Sequence, residues 1–331
     1  MKAAWYERNG PAREVLVVGE WDTPSPGAGE VLVRIHASGV NPSDVKSRAG
    51  RPLVGPRVIP HSDGAGVIVD VGPGVPRERV GERVWLWNGQ WKRPMGTAAE
   101  FIAVPQHQAV HLPDGTGFEE GACLGIPALT ALNALTTDGP VWGQTVLVAG
   151  GAGAVGAYAV QFAKLLGAGQ VVATVSSDEK AALARAYGAD HTINYREGRL
   201  VEAVRELTGG RGIDRIIEVD AAANIKDLPQ IVARDGLCVV YGSGAPDIPV
   251  PFGPMILIGA AMRFFVVYEL TPPVRDRLVA SLNAYLQAQR LQHSVAARYP
   301  LDQIAAAHEA VESGKVVGNV VLTLQPSGPS A

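Results

Sequence analysis

The chain has 331 residues, 47% of them hydrophobic, with a formal net charge of −3. That length predicts two domains with a sizeable core, and the slight acidity excludes a broad basic face for nucleic acid. Two cysteines, Cys123 and Cys238, exclude a disulfide framework and a CxxC zinc pattern; with no apolar run of membrane-spanning length and no apolar signal core in MKAAWYERNG, a reducing, cytoplasmic setting is expected.

Taken in order, the first part of the chain has a strand-and-turn character. The N-terminus reads as a first strand. Short apolar runs follow: VLVRIHASGV from Val31, GAGVIVDVG from Gly64, VGERVWLW from Val80 and FIAVP after Glu100. Gly and Pro punctuate them at intervals of about ten residues, the pattern of an all-β barrel or sandwich. Two stretches between the runs read as irregular loops, NPSDVKSRAG from Asn41 and IPHSDGAG from Ile59. Loops on a rigid β scaffold are common homes for reactive groups.

From about residue 122 the texture changes to alternating strands and helices, centred on TVLVAGGAGAVG (145–156). Val146, Leu147 and Val148 have the β-branched, apolar character of a strand buried on both faces. Gly151, Gly153 and Gly156 follow at GxGxxG spacing, with Ala154 and Val155 between the last two, and a helix begins at once. The glycines serve a tight turn, close approach to a pyrophosphate, and helix–strand packing. The helix start offers unpaired N–H groups to that phosphate. Strand before and helix after are the context that makes this a dinucleotide fingerprint rather than a chance glycine-rich turn. Strands at VVATV, HTINY, DRIIEVD and GLCVVYG alternate with helices at DEKAALARAYGA and LVEAVREL, predicting a parallel sheet covered on both faces. MILIGAAMRFFVV from Met255 reads as a last strand, and TPPVRDRLVASLNAYLQAQ as a long amphipathic helix. A closing helix and strand are expected to rejoin the N-terminal domain. The tail QPSGPSA is expected to fray.

Six stretches together resemble the medium-chain dehydrogenase/reductase family, in its zinc-free quinone oxidoreductase branch that includes ζ-crystallin. They are SGVNPSD (38–44), IPHSDGAGVIVDVG (59–72), GACLGIPALTAL (121–132), the AGGAGAVG loop, INYRE (193–197) and YPLDQIAAAHEAVESG (299–314). The resemblance implies an α/β protein: a GroES-like β-barrel domain at 1–121, a Rossmann doubly wound parallel-sheet domain at 122–262, and a return segment at 263–331. It also implies a homodimer built by strand pairing around Ile256 to Phe265, a small-molecule substrate, and no nucleic-acid or membrane partner. Where related alcohol dehydrogenases ligate catalytic zinc, the matching positions hold Asn41, Ser62 and Ile126. Isoleucine has no donor, so no metal is expected. The four-cysteine structural lobe is replaced by the short WNGQWKRPMG loop. His61 reads as a polar loop histidine, with no cysteine or second histidine near it in sequence.

The expected cofactor is NADPH. NAD sites place an acid about 20 residues beyond the glycines, but here VVATV ends in Val175, followed by Ser176 and Ser177. Lys180 and Tyr195 match residues that hold the 2′-phosphate in similar reductases, and a lysine facing a phosphate is a physical preference device. Gly242 and Ser243 end a strand where open α/β sheets bind ligands. The resemblance further implies Asn41 and Thr130 beside the nicotinamide, and Asn319 stands where relatives often carry a basic residue near the pyrophosphate. Asn41 and Thr130 each have a bland alternative: a loop cap for Asn41, a helix-interior threonine for Thr130. Asp44 reads as a cap.

The loop after Asn41, VKSRAGRP, lacks the tyrosines usual in the branch, which leaves Lys46 and Arg51 as substrate-side candidates, with Arg48 beside them, or as solvated charges. Trp87, Trp91, Phe264, Phe265 and Tyr268 are candidate pocket walls, the two phenylalanines equally strand core or subunit interface. The expected activity is zinc-independent, NADPH-dependent hydride transfer to a quinone or α,β-unsaturated carbonyl, catalysed mostly by positioning. The alternatives are an enoyl-thioester reductase or a non-catalytic NADPH-binding protein.

Overall fold

The computed structural model describes Met1–Leu324; the tail expected to fray lies outside the described residues. The strands are β1 Lys2–Trp5, β2 Val17–Glu20, β3 Glu30–Val40, β4 Asp63–Val71, β5 Arg83–Leu86, β6 Phe101–Pro105 and β7 Ala109–His111, then β8 Thr145–Val148, β9 Gln170–Val175, β10 His191–Asn194, β11 Ile213–Glu218, β12 Val232–Val240 and β13 Ala261–Phe264, and finally β14 Val295–Pro300 and β15 Asn319–Thr323. They belong to two compact units, residues 1–127 with the chain from 279 onward, and Ala128–Leu278.

In the first unit β1 and β2 form a small antiparallel sheet, and seven strands form a mixed one in the order β14-β15-β3-β4-β5-β7, with β6 also on β3. Long β3 organises it, because it pairs antiparallel with β4 along nearly its whole length and with β6 and β15 along different parts of it. Its alternate residues Val31, Val33 and Ile35 point into one core with Ile68, Val84 and Ile102, as the two-residue period of a strand requires. Leu301, Ile304 and Ala307 of the closing segment enter that same core. Helix Ile304–Glu312 and strand β15 therefore fold as part of this unit.

The second unit is an all-parallel six-stranded sheet in the order β10-β9-β8-β11-β12-β13. That is the doubly wound order, whose direction reverses between β8 and β11. Every residue of β8 is buried. Helix Ala154–Leu165 follows it and ends before Gly167, whose φ of +81° supplies the left-handed stop.

Several local expectations are corrected. NPSDVKSRAG is a helix, Pro42–Gly50, because Asn41 caps it, Pro42 presets its first turn, and the Asp44 carboxylate accepts from the Asn41 backbone N–H at 2.8 Å. The run from Met255 is not one strand. Phe252–Ile258 is a helix that ends at Gly259 with φ +66°, and only Ala261–Phe264 is strand. The apolar composition was read at the wrong period. Tyr195 does not end β10 but opens a 3₁₀ turn, Tyr195–Glu197. A boundary at 262/263 would cut through β13, and the second unit instead runs to Leu278, inside helix Pro272–Gln287. Among the described residues no helix is long and apolar enough to cross a membrane.

Candidate functional site

The glycine-rich turn sits at the carboxyl end of β8, at the point where strand order reverses. Gly150 adopts φ +68°, and the turn is tied to the neighbouring strand: Thr174 Oγ1 accepts from Gly150 N at 3.1 Å and Thr174 O from Gly151 N at 3.0 Å. A Cβ on Gly156 would lie 2.1 Å from Gly150 O, and one on Gly151 would lie 2.5 Å from Ala173 Cβ. Those two glycines are therefore required by the packing of helix on turn and strand. Gly153 is the N-cap of helix Ala154–Leu165 and has no side chain to cap it. The first-turn N–H groups of Ala154, Val155 and Gly156 thus meet an approaching anion, as the helix dipole favours. Gly153, Ala154 and Val155 are partly exposed, open to such a ligand.

At the end of β9, Lys180 Nζ donates to Ser176 Oγ at 3.0 Å, while Ser177 Oγ caps helix Asp178–Ala186 by accepting from Lys180 N. The parallel register pairs Asn194 with Val175, so Tyr195 and Ser176 leave adjacent strand ends together. Tyr195 is 48% exposed. The corner thus carries an ammonium and two serine hydroxyls, with Tyr195 following the neighbouring strand end and Val175 rather than an acid ending β9. At the end of β12, a Cβ on Gly242 would lie 2.2 Å from Val219 O, Ser243 Oγ donates to Ala245 O, and Gly244 N donates to Asp220. Burial pushes the nearby Glu218 carboxyl above the usual range. Thr130 is buried in helix Leu129–Thr136. Arg215, a residue the sequence did not single out, fixes that helix by donating to Leu135 O at 3.0 Å and Thr137 O at 2.6 Å.

In the first unit Asn41 Nδ2 donates to Asp63 Oδ2 at 3.0 Å, and Ile126 N donates to the same oxygen at 3.0 Å. Asp63 therefore binds together two of the three positions where related enzymes ligate zinc. Asn41, Ser62 and Asp63 are all buried. The donor set does not fit zinc: Ile126 presents an aliphatic side chain and the Asn41 amide is engaged with Asp63. Among the described residues no cluster of three His, Cys, Asp or Glu side chains suits a metal. Asp44, also buried, has its carboxyl raised to about 7, chiefly by desolvation.

The remaining candidates sort by exposure. Lys46 and Arg51 are exposed on and just after helix Pro42–Gly50, with Arg51 reaching Ser47 Oγ at 3.5 Å. Arg48 is not a solvated loop charge; it is buried, paired with Glu312, and donates to Gly10 O. Trp87 is buried against His107. Phe264 is 55% exposed on edge strand β13, and Phe265 N donates to Val240 O. Asn319 directs both its backbone N–H and its Nδ2 at Ser294 O, pinning the start of β15. His61 is fully buried, and its Nε2 lies 2.9 Å from His308 Nε2. Sequence distance concealed that pair, since 247 residues separate the two.

Residues 27–114 match the alcohol dehydrogenase GroES-like domain and residues 154–282 match the zinc-binding dehydrogenase domain. The human quinone oxidoreductase is 31% identical over 96% of this chain and 96% of its own. A 2-haloacrylate reductase from Burkholderia is 32% identical over 98% of this chain and 99% of its own. Among solved structures, the Escherichia coli quinone oxidoreductase complexed with NADPH superposes with a TM-score of 0.87 at 27% identity over 98% of this chain and 100% of that one. A mycobacterial protein complexed with NADPH gives 0.88 at 30% identity over the same shares. With both domains and their order shared along nearly its whole length, the chain belongs to the medium-chain dehydrogenase/reductase superfamily, in its quinone oxidoreductase branch.

Proposed function

We propose that the protein is a zinc-independent, NADPH-dependent reductase that delivers hydride to a quinone or α,β-unsaturated carbonyl. The Ser176–Lys180 pair beside Tyr195 carries the cofactor half of this reading. Its hydroxyl and ammonium donors suit a 2′-phosphate, where a carboxylate would repel it. The bound cofactor would supply the hydride. Ala154, Val155 and Gly156 N–H groups would hold its pyrophosphate. Solved relatives complexed with NADPH support the same assignment.

Asn41 is suited to orient an acceptor carbonyl. Its Nδ2 donates to Asp63 and its side chain also hydrogen-bonds the Asp44 carboxyl, so the amide is fixed from two sides. A flat, electron-poor acceptor needs orientation more than acid catalysis. The 2-haloacrylate reductase among the relatives favours keeping activated alkenes beside quinones as acceptors. The test is NADPH oxidation at 340 nm with 1,4-benzoquinone, 9,10-phenanthrenequinone and simple enones. Turnover by material that elemental analysis finds free of stoichiometric zinc is expected. Tight NADPH binding with no turnover across the panel would leave a binding protein instead, and zinc-dependent activity would remove the proposed mechanism.

A homodimer is part of the same reading. Strand β13 ends its sheet with one paired neighbour, and Phe252, Ile256, Leu257 and Phe264 beside it are between 55% and 75% exposed. Such an edge invites a second copy. Sedimentation should give a dimer, and Leu257→Arg should give a folded monomer; an unchanged dimer in the variant would place the interface elsewhere.

A further inference from the structure

His61 is held at φ +77°, a left-handed conformation rare for a residue with a side chain. It is fully buried, as is His308, and the two rings lie 5.1 Å apart at 22°. From them a chain of contacts runs to Asp63, the partner of Asn41. His308 Nε2 meets His61 Nε2 at 2.9 Å, and His61 Nδ1 meets Ser38 Oγ at 2.9 Å. Ser38 Oγ meets Thr97 Oγ1 at 2.8 Å, and Thr97 Oγ1 donates to Asp63 O at 2.6 Å.

The last contact fixes the direction of all the others. A carbonyl only accepts, so the single Thr97 hydroxyl proton goes to Asp63 O, and Thr97 Oγ1 must accept from Ser38. The Ser38 proton is then committed, and its oxygen accepts from His61 Nδ1–H. With its proton on Nδ1, neutral His61 has only a lone pair on Nε2, so His308 donates from Nε2–H. His308 Nδ1 is left as a buried lone pair without a partner.

The helix that carries His308 reaches Asn41 by a second route. Glu312 lies four residues beyond His308, on the same face of helix Ile304–Glu312. It grips Arg48 on helix Pro42–Gly50, whose N-cap is Asn41. Asn41 closes the circuit by donating to Asp63.

We propose that His61 and His308 are positioning residues that, through a one-directional hydrogen-bond chain to Asp63 and the Glu312–Arg48 clamp, set the Asn41 amide for the acceptor. The kinetic part rests on the reductase reading above; the tautomers do not.

Imidazole ¹⁵N spectra of the full-length protein at pH 7.5 should show two neutral rings, with the proton on Nδ1 in His61 and on Nε2 in His308. Reversed tautomers or a cationic ring would overturn the proposal. His61→Gly relieves the backbone strain while deleting the chain, and His308→Leu deletes its first donor. With NADPH and 9,10-phenanthrenequinone, both should lower kcat/KM for the quinone about tenfold, mainly through KM, as misplacement of an orienting group does. The NADPH KM should be unaffected. His308→Gln, whose amide N–H can still donate, should restore the acceptor KM. Folded His61→Gly and His308→Leu proteins with wild-type quinone KM would sink the idea, as would a Gln variant no better than Leu. If the wild type reduces no acceptor, the reductase reading falls alone. The Asn41 side-chain amide resonance, shifted in His308→Leu and not in His308→Gln, then decides the positioning claim, and no shift in either refutes it.

Discussion

Replacing Lys180 with alanine should weaken NADPH binding by about 10- to 100-fold and leave NADH nearly unchanged. The reasoning starts from the corner where β9 ends. Lys180 is held over Ser176 by a 3.0 Å hydrogen bond, so its ammonium is placed before the cofactor arrives. A hydrogen bond to a charged partner contributes about 1.5–3 kcal/mol, which is the stated range in Kd. Only the 2′-phosphate can collect it, since NADH has a hydroxyl there. Tyr195→Phe removes a neutral donor and should cost NADPH only about two- to tenfold. The corner is partly open to solvent, so the Lys180 effect should shrink as salt rises. Calorimetric titration of both nucleotides into wild type and variants checks this. Equal losses for NADPH and NADH would remove the preference argument, because they would locate Lys180 in fold stability rather than phosphate recognition.

The second large effect is acid lability centred on the histidine pair. Burial holds His308 down at about 3, with Arg48 adding to the desolvation, and holds His61 well below the ordinary 6.5, with His308 adding. An unfolded histidine takes its proton near pH 6.5, whereas these resist in the fold. At these two sites the unfolded chain therefore binds more protons between pH 6.5 and about 3, so the pair's contribution to stability is complete above 6.5 and falls as pH drops, while Asp44, raised to about 7, acts in the opposite sense between about pH 4 and 7. The slope is about 1.4 kcal/mol per pH unit for each ring. The groups facing the pair explain why no compensation is at hand. Ser38 is neutral, Glu312 on the His308 helix is already committed to Arg48, and the Asp63 carboxylate accepts from Asn41 and Ile126. A cation on His308 would stand beside a second cation. Denaturant unfolding at pH 7.5, 6.0 and 5.0 should show the decline, and His308→Gln should flatten it by one ring's share. Identical slopes in both proteins would assign the acid sensitivity to carboxylates elsewhere.

How much of this was legible beforehand depends on the range of the interaction. The glycine turn was readable because its reasons are local: Gly150 needs a positive φ, and Gly156 touches Gly150 O only six residues away. Ser177 capping, Lys180 on Ser176 and the Asp44 cap of Asn41 are likewise contacts across three or four residues. The helix at Phe252–Ile258 is not legible in the sequence because a short apolar run carries no period, and Gly259 rather than hydrophobicity decides where it stops. The residues of helix Pro42–Gly50 favour a loop locally, because Ser, Asp, Gly and Pro are turn formers in isolation. Its capping by Asn41 and the three Asn9 Nδ2 bonds to Ser47, Arg48 and Arg51 carbonyls outweigh that preference.

The amino-acid sequence by itself determined the doubly wound nucleotide unit, the absence of an acid where NAD would want one, and a zinc position filled by Ile126. These follow from steric and chemical identity at single positions and short spacings. Only the tertiary structure decided that Asp63 joins Asn41 to the Ile126 backbone, that Arg48 is buried rather than solvated, and that His61 meets His308 across 247 residues. The last two contacts exist because the chain returns from the second unit to add β14, β15 and helix Ile304–Glu312 to the first. Hydrophobic burial of Leu301, Ile304 and Ala307 drives that return, and the polar chain is oriented as its consequence.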